Sequence, residues 1–157
     1  MIKAGALEGL HKALVGGGEA LKVVACRAVN NLMAGGEAAI QAAIDAGMLP
    51  LLLGLMRSAD AASLDLRRTA LFAVTNAACC GSLKQVCTLL RAGVVQQLVD
   101  VVTAGHTQTG EVELATLEAQ ECFLRAGLEL HAAGLVPRAK LAELLRLAGV
   151  CTFLGRT

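Results

Sequence analysis

From Met48 to Arg57 nearly every position is apolar. From Leu64 to Cys79 apolar residues return every three or four places, the spacing of a helix buried along one side. Leu66, Ala70, Ala73, Val74 and Ala77 share one stripe of that second segment and are expected to face the core. Thr69, Phe72 and Asn76 form another stripe, at i, i+3 and i+7, turned away from the first. A third periodic stretch runs from Ser82 to Arg91. The pattern predicts three helices over 48–57, 64–79 and 82–91, and no strand. Pro50 fits the first turn of the first helix, where its missing N–H costs little. Ser and Asp within "SADAASLD" are candidate caps for the second helix, Gly81 ends it, and Ser82 is placed to cap the third.

The pattern recurs. "NLMAGGEAAIQAAIDAGMLPLLLGLM" (31–56) and "NAACCGSLKQVCTLLRAGVVQQLVDVV" (76–102) both run Asn, small residues, a Gly break, a short amphipathic stretch, Ala-Gly and an aliphatic run. Ala-Gly stands at 4–5, 46–47 and 92–93, separated by 42 and then 46 residues, with a further copy at 148–149. The units are 1–45, 46–91, 92–147 and a partial 148–157, stacked in a single domain. In the first unit Leu21, Ala25, Ala28, Val29 and Leu32 take the core stripe, while Val24, Arg27 and Asn31 take the second one. Two or three helices at a period of about 40–47 residues is the rhythm of armadillo and HEAT solenoids. The expected fold is all-α: an α-solenoid of armadillo repeats wound as a right-handed superhelix.

Composition narrows the function classes. Hydrophobic residues make up 55% of the chain and charged ones 17%, so the helices are buried on more than one side. Net charge is +1 without charge runs, which leaves no electrostatic footprint for nucleic acid or an anionic membrane surface. The apolar runs fall short of the roughly 20 residues that a spanning helix needs. The six cysteines show no spaced framework and read as reduced, small hydrophobes. No CxxC, HExxH or Cys/His cluster marks a metal site, and "VGGGEA" lacks the GK[ST] ending of a phosphate loop; no cofactor is expected. Cys79 or Cys80 with His106 or His131 would be the only nucleophile–base pairing. A helix C-terminus disfavours a thiolate and no orienting acid is visible, so no enzyme is expected.

Asn31 and Asn76 occupy the same repeat phase. An exposed amide offers a donor and an acceptor, so a row of them can hold the backbone of an extended peptide, with Phe72 as a flat wall beside it. The competing reading is an Asn near a helix end that satisfies local backbone groups. Both stand at this point. Glu111, Glu113, Glu118 and Glu121 fall in one helical stretch, either a solvated acidic face or an acidic lip for a basic partner.

"ACRAVNNLMAGGEAAIQAAIDAGMLPLL" (25–52) and "RRTALFAVTNAACCGSLKQVCTLLRAGVVQQLVDVV" (67–102) resemble the importin-α family, the armadillo adaptors that recognise nuclear localisation signals. The likeness covers about residues 20–125 and falls on that family's seventh to ninth repeats. It implies a non-catalytic adaptor of cytoplasm and nucleus that binds lysine-rich signal peptides of cargo proteins, with an export receptor as a further partner. The family reads lysines with a Trp and an Asn one turn apart and an acidic residue three places before the Trp. Asn31 and Asn76 match the asparagines, Phe72 and Arg27 stand at the Trp positions, and Val24 and Thr69 stand at the acidic ones. In the third unit Glu118 takes the Trp position and Cys122 the Asn position. These departures imply weakened lysine pockets. The arginine-rich segment with which the family binds importin-β has no counterpart here, and apolar stripes on the outer units imply self-association. The alternative is an armadillo scaffold for protein–protein contacts unrelated to nuclear import.

Overall fold

The computed structural model describes residues 4–57, 64–103, 110–139 and 142. Among the described residues eight helices follow one another: α1 (Ala4–Gly16), α2 (Glu19–Met33), α3 (Glu37–Asp45), α4 (Met48–Arg57), α5 (Leu64–Cys80), α6 (Leu83–Arg91), α7 (Val94–Thr103) and α8 (Gly110–Ala132). No strand occurs among the described residues. The helices expected over 48–57, 64–79 and 82–91 are α4, α5 and α6. The caps expected within "SADAASLD" fall mostly at 58–63, outside the described residues, as does Ala148-Gly149.

The repeated Ala-Gly has a backbone cause. Gly47 and Gly93 adopt φ +74° and +81°, a left-handed conformation in which a side chain is strained. Each closes a short helix identically: Ala46 N–H donates to Ala42 O and Ala92 N–H to Thr88 O, both at 3.0 Å. The next helix, α4 or α7, then leaves at a sharp angle; α3 and α4 meet at 81°. Ala4-Gly5 differs from this expectation. Gly5 lies inside α1, which already runs from Ala4, so the dipeptide makes no turn there. α5 ends at Gly81, a place only glycine fits, since a Cβ there would stand 2.5 Å from the Ala77 carbonyl oxygen. The Gln85 side chain then accepts from the Ser82 N–H at 3.0 Å, half of a capping box at the start of α6. Its amide also donates to the Glu37 carbonyl at 2.7 Å, which binds α6 to α3.

Packing follows the repeat. The long helices α2, α5 and α8 lie side by side; α1, α4 and α7 stack behind them, and α3 packs on α6. Between these rows runs one continuous core, with Val29, Leu52, Val74, Leu98 and Phe123 at 2% exposure or less. Burying such a side chain contributes about 1.5–3 kcal/mol. Each row seals the faces that its neighbour leaves apolar, as a solenoid requires. Among the described residues no single helix is long and apolar enough to cross a membrane. The bent pair α3 and α4 reaches that composition together, and α4 buries Met48, Leu49, Leu52, Leu53 and Met56 in the core.

Two expectations of burial are corrected. Leu21, assigned to the core stripe of α2, is 53% exposed, because no described helix packs on that flank. Thr69, assigned to the outward stripe of α5, is 7% exposed. There α2 covers it, and its hydroxyl donates to the Asp65 carbonyl at 2.7 Å. A periodicity plot sees one helix at a time, whereas both residues are decided by whether a neighbouring helix lies beside them.

Candidate functional site

The outer face of the α2–α5–α8 layer carries most of the residues singled out from the sequence. Arg27, Asn31 and Glu118 are exposed, while Asn76 and Cys122 are half-buried. Phe72 is partly buried against the core, so only part of its ring is offered outward. Val24 is 64% exposed. Thr69 is withdrawn between the helices and offers nothing to a ligand.

Arg27 stands in a different electrostatic setting from the one its isolated position implies. Its guanidinium meets the Asp65 carboxylate at 2.9 Å, from α2 to α5. Asp65 also meets Arg68 at 3.3 Å, and Arg68 meets Glu111 at 3.3 Å, from α5 to α8. Four charges of alternating sign thus cross all three long helices. Each pair is exposed and contributes about 0–1 kcal/mol, but together they neutralise the cation at Arg27 and set carboxylates on this face.

The two repeat-phase asparagines are not joined to each other. Asn76 donates its amide N–H to the Asn30 side-chain oxygen at 3.0 Å, one residue before Asn31. Asn76 therefore spends one donor between α5 and α2 and keeps its carbonyl oxygen. Asn31, exposed, holds its full amide toward solvent. Sequence reasoning missed Asn30, Asp65 and Arg68, and had Glu111 only as a member of an acidic stretch without its partner. The signal was present as paired opposite charges, Arg27 with Asp65 and Arg68 with Glu111, 38 and 43 residues apart and so on consecutive long helices.

The thiols also require correction. Cys79 and Cys122 form a disulfide between α5 and α8, with Cα atoms 5.4 Å apart. They were expected as separate small hydrophobes; stacking instead sets two positions about one repeat apart face to face. Cys26, Cys80 and Cys87 are free. Of the imagined nucleophile–base partners, Cys79 is bonded, His131 donates from Nδ1 to the Val136 carbonyl at 2.9 Å, and His106 lies outside the described residues.

Short helix, sharp glycine turn, helix, then a long helix layered on its predecessor: this is the armadillo-repeat architecture. The chain is an all-α solenoid of that kind. No family model matches the sequence, and no curated protein matches it. Solved structures do. A designed armadillo repeat protein in complex with the peptide (KR)4 is 25% identical, with a TM-score of 0.69 over 96% of this chain and 64% of its own. Computationally designed armadillo repeat proteins for modular peptide recognition give 26% identity and a TM-score of 0.68, again over 96% and 64%. Another designed armadillo repeat protein gives 24% and 0.67, over 82% of this chain and 53% of its own. The chain therefore spans between 53% and 64% of the length of these structures.

Proposed function

We propose that the faces of α2, α5 and α8 turned away from the core line a concave groove that binds an extended peptide, and that the chain acts as an importin-α-like adaptor segment for lysine-rich signals, in cytoplasm and nucleus. The observation that carries the reading is the pair Asn31 and Asn76 at one phase of adjacent long helices, each with amide groups left for a peptide backbone. The designed relative that holds (KR)4 supports a basic peptide as occupant. Lysine pockets are reduced, since Phe72 is a weaker cation–π partner than Trp and Arg27 replaces the other ring. An export receptor as a further partner belongs to the same reading and rests on the resemblance alone.

The test is a titration of a labelled lysine-rich signal peptide against a scrambled peptide of equal charge. The reading expects the ordered peptide to bind more tightly and Asn31→Ala to weaken it about tenfold, the effect of roughly 1.4 kcal/mol from an unpaired backbone group. Equal binding of both peptides, abolished alike by salt, would leave the scaffold reading in its place.

A further inference from the structure

We propose that the Cys79–Cys122 disulfide is a capture site on the peptide groove: it exchanges with the thiol of a cysteine-bearing, lysine-rich extended peptide and holds it as a mixed disulfide on Cys79. This rests on the same groove taking a peptide. Phe72, Asn76 and Cys79 stand at i, i+4 and i+7 on α5 and so share one side of the helix. Residues three apart on a helix have Cβ atoms about 5–6 Å apart, so a peptide held at the Asn76 amide passes within a residue or two of the Cys79 sulfur. On α8, Cys122 takes the phase that Asn31 and Asn76 take on α2 and α5, and the bond lies where a third asparagine would stand. Cys79 is exposed and Cys122 half-buried, which makes Cys79 Sγ the open end of the bond. Cys80 is exposed and free, but it is turned about 100° around the helix from Cys79. Glu118, one turn before Cys122, is exposed and has no ion pair among the described residues. Its backbone carbonyl lies 3.8 Å from Cys79 Sγ, which sets an unneutralised carboxylate at the border of the bond. A lysine beside the peptide cysteine is drawn there, and the same cation raises the thiolate fraction of that cysteine.

The exchange balances without an outside oxidant. The peptide thiol gives its proton to water, and the thiolate attacks Cys79 Sγ. A bond forms between the peptide sulfur and Cys79, the Cys79–Cys122 bond breaks, and its electron pair leaves on Cys122 Sγ, which takes up a proton. One disulfide is consumed and one is made. Cys122 then stands beside the adduct as the thiol that reverses it, attacking Cys79 and freeing the peptide. Capture belongs to the oxidised chain, the state the structure holds. A reducing thiol pool dismantles it.

Mass spectrometry without reductant reads the site. The oxidised full chain is mixed with a lysine-rich peptide carrying one cysteine, with its scrambled counterpart, or with glutathione. The ordered peptide should add once, at Cys79, and leave one new free thiol at Cys122. Held in the groove, its thiol faces the bond at an effective concentration in the mM range, so at roughly 0.1 mM its adduct should form about tenfold faster than that of glutathione. Cys80→Ser should leave that rate unchanged. Titration of the same peptide with serine in place of cysteine reads the groove by itself. If the serine peptide binds and the cysteine peptide forms no adduct, the capture site is overturned and the groove reading stands. If the serine peptide does not bind, and all three thiols react at one rate, both are overturned. Attachment at Cys80 overturns the capture site, as does a chain that keeps all six cysteines as thiols after oxidation.

Discussion

Asn76 on α5 donates its side-chain amide to the Asn30 side-chain oxygen on α2, 3.0 Å away. The residue nominated as a peptide clamp is therefore also a fastener between adjacent long helices. Asn76→Ala should lower stability by about 0.5–1.5 kcal/mol through the lost bond. A double-mutant cycle with Asn30→Ala should return a coupling energy of similar size, read from urea midpoints. Additive single effects would place Asn76 in the groove alone.

How far this was legible in the sequence depends on what one helix reveals about itself. The Ala-Gly signals and the period exposed the turns at Gly47 and Gly93 and the extents of α4 to α6, because those are local backbone properties. Leu66, Ala70 and Ala77 were readable as core for the same reason. Thr69 and Leu21 were not, since their burial depends on helices beside them. Asn76 was legible as a polar residue off the core stripe, but its partner Asn30 was hidden by a lateral offset of one residue between α2 and α5. Cys79 and Cys122 could be paired only once the layer was built.

The ion-pair chain from Arg27 to Glu111 makes a testable contribution through its middle member. Asp65 meets both arginines, so Asp65→Asn removes two pairs and leaves Arg27 and Arg68 as neighbouring cations. The loss should be about 1 kcal/mol at low salt and should shrink toward zero in roughly 1 M salt, where the screening length is about 3 Å. Denaturation midpoints of wild type and variant at the two salt concentrations read this directly. A salt-independent difference would mean that Asp65 acts through helix capping or packing instead.

The Cys79–Cys122 bond closes a loop with a sequence separation of 43. Restricting the unfolded chain over that loop stabilises the fold by up to about 4 kcal/mol. Without reductant, Cys122→Ser should unfold at a lower denaturant concentration than the wild type; with reductant the two midpoints should converge. In a reducing compartment the pair stands as thiols, and the convergent behaviour is the relevant one. Equal midpoints under oxidising conditions would show that the bond does not form in solution.

Cys26 supplies a pH dependence. It is fully buried between α2 and α5. Burial first, and the Asp65 carboxylate second, push its thiol up from 9.0 to about 12. In the unfolded chain the thiol ionises near its ordinary value, while in the fold it keeps its proton. The folded pKa is thus raised, so the contribution is fully present below pH 9 and is lost as pH rises toward 12. Across that window the unfolded state binds fewer protons, and stability should fall by about 1.4 kcal/mol per pH unit from this group. Cys26→Ala gives up some packing at neutral pH but removes the slope, so its difference from the wild type should narrow above pH 9. Urea midpoints at neutral pH and at two alkaline values measure it. Parallel decline of wild type and variant would mean that Cys26 ionises as readily folded as unfolded.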